Sequence, residues 1–402
     1  MRFSTRNLVN ITRSIPHYPA KPSRELRRNM SAPDFSGVTP AASPLEGLIG
    51  INKPSGISSA EALRMLQGIF KPSKLFAPTF ALEAAKRAAE PANQRRRRRG
   101  PNAVNLEVKI GHGGTLDPMA QGVLIAGIYG GTKELGGFLG CTKTYECVMM
   151  LGADTDSYDA MGKVVRWAGW EGITKEMVEE KLQQFKGEIM QVPPIYSALH
   201  MNGKRLYEYA REGLPLPVEI KARPVSTVSL EMVDWAEEHD YEFPEEAAME
   251  DKVVAEKLEE QKGGVAGNEA TGEKRAAETQ EEEPAKKQKT DETTTEEVKE
   301  EAKTTRATKP EGKPPIITLR MTVTSGFYVR SLVHDLGVAL GSAAHMVKLV
   351  RTRQADFEIG NENTFEWEEL TEQPEEVWGP KVEGLLNKWK EEKQKKIAEG
   401  RK

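Results

Sequence analysis

Residues 111–118 read Gly-His-Gly-Gly-Thr-Leu-Asp-Pro, and they carry the side chain best placed to do chemistry, Asp117. The paired glycines Gly113 and Gly114 let the backbone bend and approach another molecule, while Pro118 keeps Asp117 out of the helical region. A carboxylate presented from such a stiff loop can serve as a nucleophile or as a proton acceptor. Taken alone, the same residues also fit a polar surface turn in which Asp-Pro merely starts the turn. A second chemically rich stretch is residues 203–211, Gly-Lys-Arg-Leu-Tyr-Glu-Tyr-Ala-Arg. Its cations and tyrosines could pair phosphate contacts with base stacking. An ordinary amphipathic helix explains the Leu/Tyr spacing equally well.

Other chemistries fail at named residues. Asp154, Asp156 and Asp159 miss the spacing of a calcium loop, because Tyr158 stands where a third ligand belongs and no glutamate closes the loop. Residues 127–133 lack the Gly-Lys-Ser/Thr ending of a nucleotide phosphate loop. Cys141 and Cys147 are the two cysteines, and neither has a second Cys/His pair at zinc spacing, so neither a disulfide framework nor a structural metal is expected. His334, beside Asp335, has no nucleophile within the pattern and reads as a residue pointing off a helix.

The elements that must position Asp117 can be read from periodicity. Residues 47–56 form a short buried strand that ends in a Pro/Gly turn at Lys53, Pro54 and Gly56. Ser58 with Glu61 then makes a capping box for a helix whose face is Leu63, Leu66, Ile69 and Phe70. After the loop, residues 123–128 are strand-like, residues 130–133 open a helix, residues 143–148 alternate partially as a second strand, and residues 152–162 are a Gly/Asp-rich turn. Thr174 caps a helix bearing Met177, Val178, Leu182 and Phe185. Residues 316–323 alternate as a strand, and Gly326, Tyr328 and Arg330 lead into a helix carrying Leu332, Val333, Leu336 and Leu340 that stops at Gly341.

In that order, Gly-His-Gly-Gly-Thr-Leu-Asp-Pro, Gly-Thr-Lys, Lys-Thr-Tyr, Leu-Gly-x-x-Thr-Asp-x-x-Asp-x-x-Gly, Pro-Pro-x-Tyr-Ser-Ala and Gly-x-Tyr-x-Arg-Ser-x-x-x-Asp-Leu-Gly closely resemble the TruB family of RNA pseudouridine synthases. The resemblance covers roughly residues 47–70, 110–230 and 316–357. It implies an α+β pseudouridine synthase fold: a mixed, mainly antiparallel sheet flanked by helices around a central RNA-binding cleft, with disordered insertions. It also implies a reaction, without cofactor or metal, that breaks the uracil–ribose bond, turns the base and rejoins it through carbon. The essential aspartate maps to Asp117, acting as nucleophile or base. By the same resemblance Tyr145 stacks on the flipped base, Arg330 pairs with Asp117, Tyr328 lines the pocket, and His112 helps the loop replace the extracted nucleotide. Lys53 and Leu349 complete the substrate-binding set. An arginine beside the carboxylate would balance its charge and fix its rotamer. Gly113 departs from the family pattern, standing where a hydroxyl residue is common.

Composition sets the limits. Of 402 residues only 38% are hydrophobic and 29% are charged, thin for a fully packed chain of this length, so one catalytic core with disordered additions is expected. The net charge of -4 hides basic segments behind acidic ones. The reading divides the chain into an arm at 1–46, a catalytic domain at 47–360 interrupted by inserts at 71–109 and 236–315, and an acidic loop with a Lys-rich helix at 361–402. The arm is rich in arginine with Glu25 its lone acid through residue 33, which suits a mitochondrial targeting segment as well as a disordered basic arm. Met30 offers a second start. The first insert holds an unbroken basic run, Arg95 to Arg99, which suits phosphate binding, a nuclear address or a solvated loop. Inside the second, Lys274-Arg275 and Lys286-Lys287-Gln288-Lys289 resemble a bipartite nuclear localisation signal. No additional C-terminal RNA-binding domain is expected, and no apolar run reaches membrane-spanning length.

These readings converge on an isomerase that forms pseudouridine at uridine 55 in the TΨC arm of tRNA. The expected enzyme is a monomer in nucleus and mitochondrion, with an import receptor as partner and mRNA as a further RNA. The alternatives are a guide-RNA-dependent, dyskerin-like synthase and a non-catalytic RNA-binding or RNA-folding factor.

Overall fold

A ten-stranded sheet runs through the protein in the order β14-β1-β3-β12-β4-β11-β10-β7, with β2 added on β3 and β13 on β12. The computed structural model describes residues 37–91, 106–260 and 308–400. The strands are β1 (Gly47–Lys53), β2 (Ile110–His112), β3 (Gln121–Ile128), β4 (Lys143–Leu151), β5 (Ala153–Thr155), β6 (Val164–Trp167), β7 (Gly187–Gln191), β8 (His200–Met201), β9 (Lys204–Arg205), β10 (Arg223–Ala236), β11 (Ile316–Val323), β12 (Ala344–Gln354), β13 (Phe357–Glu358) and β14 (Thr364–Glu366). The β1–β14 and β3–β12 pairs are parallel and the other pairs antiparallel, which is the mixed, mainly antiparallel sheet expected. The helices are α1 (Ser59–Phe70), α2 (Ala77–Ala89), α3 (Leu135–Leu139), α4 (Lys175–Leu182), α5 (Leu206–Arg211), α6 (Met249–Glu260), α7 (Val329–Ala339), α8 (Trp367–Thr371) and α9 (Glu375–Glu399).

The partial alternation of β4 has a packing cause. Tyr145, Cys147, Met149 and Leu151 enter the main core on one face with Leu319, Met321, Leu332 and Leu336, while Val148 and Met150 join Ile316 and Val347 on the other. That second face is covered by Tyr241 and Phe243, so the end of β4 is buried on both sides and reads as a continuous apolar run. Ser58 caps α1 by accepting from the Glu61 amide at 3.1 Å, and Thr174 caps α4 through the Met177 amide, both as the sequence predicts. Gly341, at φ +74°, ends the turn after α7.

Three stretches differ from the sequence reading. Within 71–109, Phe76 and Phe80 are fully buried and Phe76 lies 5.0 Å from Phe70, so the start of α2 belongs to the core. After residue 360, β14 pairs with β1, and Trp378, Val382 and Leu386, spaced four apart along α9, seat it against the sheet. Residues 237–260, assigned to the structureless insert, are also packed. The Phe243 ring meets Trp167 edge-on at 5.1 Å, and the backbone pairs with β6 through Val164 N–Glu245 O at 2.8 Å and Ala247 N–Val164 O at 2.9 Å. A few well-spaced anchors suffice there, and a Glu-rich composition conceals them. Residues 1–36 of the N-terminal arm, Arg95 to Arg99, and the Lys274 to Lys289 signal lie outside the described residues, whereas the end of the arm is packed: the Ala41 amide donates to the Pro78 carbonyl at 3.0 Å, Leu45 meets the main core and Glu46 accepts from the Gly130 amide at 2.9 Å.

If 237–247 covers the back of β4 as described, Phe243→Ala should lower stability by about 2 kcal/mol for the lost apolar burial. Urea denaturation checks this. A change near zero would remove the segment from the core.

Candidate active site

The loop bearing Asp117 leaves β2 at His112, whose Cα pairs with Ala126 of β3, and turns where the Gly113 amide donates to the Ile125 carbonyl at 2.9 Å. Gly114 sits at φ +130°, a conformation that side chains rarely adopt. A Cβ at Gly113 would stand 2.9 Å from the Phe138 side chain, so α3 fills the space where the family pattern has a larger residue.

From there each backbone carbonyl finds a donor. Gly113 O accepts from the Gln354 amide, Gly114 O and Thr115 O from the Arg351 guanidinium at 3.2 and 3.4 Å, and Leu116 O from the Ser59 hydroxyl at 3.0 Å. Asp117 O accepts from the Ala120 amide at 3.1 Å, Pro118 O from the Gly56 amide at 2.8 Å, and Met119 O from the Ser55 hydroxyl at 2.7 Å. The loop is rigid because β12, α1 and the turn after β1 hold it from separate directions.

Arg330, in the first turn of α7, is the partner of Asp117. Its Nε donates to Asp117 Oδ2 at 2.9 Å, Nη1 to the Ser157 carbonyl at 2.9 Å and Nη2 to the Tyr196 carbonyl at 2.9 Å. The Arg330 side chain is 6% exposed whereas the Asp117 side chain is 36% exposed, so the carboxylate is held from behind and open in front. Asp159 Oδ2 lies 3.7 Å from the same Nε. Burial pushes the Asp159 carboxyl up, against the pull of Arg330 and the Ser157 hydroxyl. A planar fork that reaches a carboxylate and two carbonyls at once suits arginine and no other side chain.

The remaining predicted residues fall into two groups. Tyr328 caps α7 next to this pair, with its amide and carbonyl both bonded to the Gln191 side chain at 2.8 and 3.0 Å. Burial pushes its phenol up, so it stays protonated at neutral pH. Tyr145 on β4 pairs in register with Arg351, and Leu349 on β12 pairs with Cys147 two residues along, so both line the sheet face beside the loop. His112 stands at the loop entrance, its imidazole pushed down by burial and by Arg351.

Lys53 behaves differently from a substrate contact. It is fully buried, and its ammonium donates to the carbonyls of Pro54 and Ile57 at 2.7 Å and of Pro118 at 3.4 Å. Burial pushes its pKa down to about 7, against the attraction of Asp117 and with the repulsion of Arg351. It ties the β1 turn to the loop and acts through that loop.

Sequence reasoning passed over Arg351, Gln354, Ser55, Ser59, Gln191 and Asp159 as contributors. Periodicity marks a strand position as inward but gives no sign that an inward arginine is spent on carbonyls. The aspartates rejected as a calcium loop serve as braces. Asp154 accepts from the Arg166 guanidinium at 2.8 Å and the Ala344 amide at 3.2 Å, and pairs with His334 at 3.2 Å. His334 also stacks on Tyr158 at 4.0 Å, so it is committed to this brace and does not point freely off α7. Among the described residues no group of three or more His, Cys, Asp or Glu could hold a metal.

Lys53→Met keeps length and apolarity but leaves buried carbonyls without a donor, and should cost about 1–3 kcal/mol. Chemical denaturation measures it. An unchanged midpoint would mean the amine does not brace the loop.

Comparison with known proteins follows the same geography. Residues 102–250 match the TruB family pseudouridylate synthase (N terminal domain), and residues 330–378 match the tRNA pseudouridylate synthase B C-terminal domain. The chain is 41% identical over 345 residues to tRNA pseudouridine synthase 4 of Schizosaccharomyces pombe, covering 81% of this chain and 82% of that one. It is 32% identical to tRNA pseudouridine synthase 4 of Saccharomyces cerevisiae, covering 85% of each. It is 30% identical to mouse Pseudouridylate synthase TRUB1, covering 78% of this chain and 64% of that one. An aspartate on a pinned loop, an arginine fork behind it and ordered matches on both sides of the site agree: the chain belongs to the TruB family of pseudouridine synthases.

Proposed function

We propose that this protein isomerises uridine 55 in the TΨC arm of tRNA to pseudouridine, with Asp117 as the reacting group. The observation that carries the reading is the Asp117–Arg330 pair, in which a half-exposed carboxylate is fixed from behind by a buried guanidinium. The reaction is balanced within the substrate. The bond between ribose C1′ and uracil N1 breaks, a bond from C1′ to C5 forms, C5 loses a proton and N1 gains one. No outside reductant or oxidant enters. The uridine must leave its stack, at a cost of a few kcal/mol, before the carboxylate can reach it. Tyr145 and Tyr328 supply aromatic faces for the flipped base, Leu349 an apolar wall, and His112, neutral at pH 7, a polar group at the entrance. Asp117 then attacks as nucleophile or removes a proton as base.

A synthase working as a monomer on tRNA without a guide RNA is the simplest form of this reading, and mRNA with a similarly folded loop would be a further substrate. The arginine-rich arm supports delivery to the mitochondrion. Lys274, Arg275, Lys286 and Lys287 support import into the nucleus through an import receptor. Removal of residues 1–29 should abolish mitochondrial delivery without loss of activity, and alanine at those four cations should reduce nuclear accumulation. Fractionation with tRNA modification assayed in each pool checks both. Unchanged nuclear levels would shift the address to Arg95 to Arg99.

Asp117→Asn preserves shape and much of the hydrogen bonding to Arg330 while removing charge and basicity. Pseudouridine formation should fall by about 10³-fold or more. Affinity for tRNA, carried by phosphate and stacking contacts, should change little. Turnover and binding are measured on one preparation, with circular dichroism for the fold. Comparable turnover would overturn the catalytic role, and joint loss of binding and turnover would make Asp117 structural.

A further inference from the structure

We propose that α6 is a strut that sets the position of the unit formed by residues 195–220, and that Leu258 is thereby a positioning residue for RNA engagement. The unit consists of the β8–β9 hairpin, α5 and the chain to Ile220. Its buried side chains form a cluster separate from the main core: Ile195, Leu206, Leu216, Ile220 and Leu258. Four of the five are its own. Leu258 arrives from α6, some forty residues further along the chain, and is 8% exposed. A two-stranded hairpin with one short helix buries too little to hold a fixed orientation by itself. Leu258 supplies the apolar contact that the unit lacks.

The other end of the strut is anchored. The approach to α6 is bonded to β6 through Glu245 and Ala247, and Asp251 in its first turn pairs with Lys163 at 3.0 Å. Lys163 in turn follows the turn whose Asp156 accepts from the Tyr196 hydroxyl at 3.4 Å. Between α6 and the unit lies a cleft of about 440 Å³ lined by Tyr196, Arg211, Val254 and Leu258 among others. The helix therefore runs from the β5–β6 hairpin to the unit and joins its apolar cluster through Leu258.

What the strut positions is functional in two respects. The Tyr196 carbonyl at the start of the unit accepts from Arg330. The outer surface carries Arg205 and Arg211 around the Tyr207 ring, at 5.8 and 5.1 Å, and Lys204 over Tyr209 at 5.2 Å. A cluster of cations and aromatics suits phosphate and base contacts with RNA, so the inference rests on the tRNA reading above. Residues 251–260 lie beyond the N-terminal family match and before the C-terminal one. Most of the strut therefore falls between the two matches, next to the 261–307 segment.

The test uses the full-length protein with Leu258→Ala, Leu258→Asp and the conservative Leu258→Met. Hydrogen exchange without RNA should show protection lost across residues 195–220 in the first two and kept in the third, with β4 and α7 unchanged. On a tRNA transcript, KM should rise about tenfold, the order expected for one lost buried apolar contact, with kcat within about twofold. If Leu258→Asp does not fold, Leu258→Ala decides. Unchanged exchange in residues 195–220 would overturn the strut, and an unchanged KM would overturn its role in RNA engagement. Failure of the tRNA reading shows separately, as unmodified tRNA with the unaltered protein, and leaves the exchange result to judge the strut.

Discussion

Seven consecutive carbonyls, Gly113 to Met119, each accept a hydrogen bond, and the rest of the site depends on that accounting. A loop with two glycines and a proline would otherwise sample many conformations. Buried backbone groups left without partners would also cost free energy comparable to a lost hydrogen bond. Apart from the local Ala120 amide, the donors come from α1, from the turn after β1 and from the end of β12, which are distant in sequence. The loop can therefore be correct only when the sheet is correct. That dependence converts overall stability into catalytic geometry.

Charge is organised around the same loop. Lys53, Arg330 and Arg351 are all buried close to it and spend their donors on backbone carbonyls, Arg330 also on the Asp117 carboxylate, while burial brings Lys53 down to a pKa of about 7. Burying a cation is unfavourable unless its donors are satisfied, and carbonyls satisfy them without neutralising the charge. The outcome is one half-exposed carboxylate facing a cleft whose hidden wall is cationic. Such a wall favours a polyanionic substrate in front while keeping Asp117 in a single orientation.

Additions to the core follow a different physics. Residues 237–247 cover the second face of β4, and α6 continues from them to the 195–220 unit. On the return side, the Lys309 ammonium lies 5.8 Å from the Trp167 ring and 5.7 Å from Phe243, and the Pro314 carbonyl meets His239 at 2.8 Å. The two ends of the excursion are fastened together on the aromatic cluster. A long passage of chain can thus be accommodated between β10 and β11 without disturbing their pairing, since closing a longer loop adds little entropic cost.

The sequence by itself determined the local elements, the loop that presents Asp117 and the family. These depend on short-range patterns: two-residue and helical periodicity, caps at Ser58 and Thr174, and glycine and proline at turns. It also supplied Arg330 as the partner of Asp117 through resemblance, and the two side chains do meet. Only the tertiary structure decided what Lys53, Arg351 and Gln354 do, because a buried polar side chain is defined by carbonyls that come from other strands. It likewise decided that residues 237–260 and 364–386 are packed. Tyr241, Phe243, Leu258, Trp378 and Leu386 are too sparse among charged neighbours to announce a core, and become one only when the sheet offers each of them an apolar surface to meet.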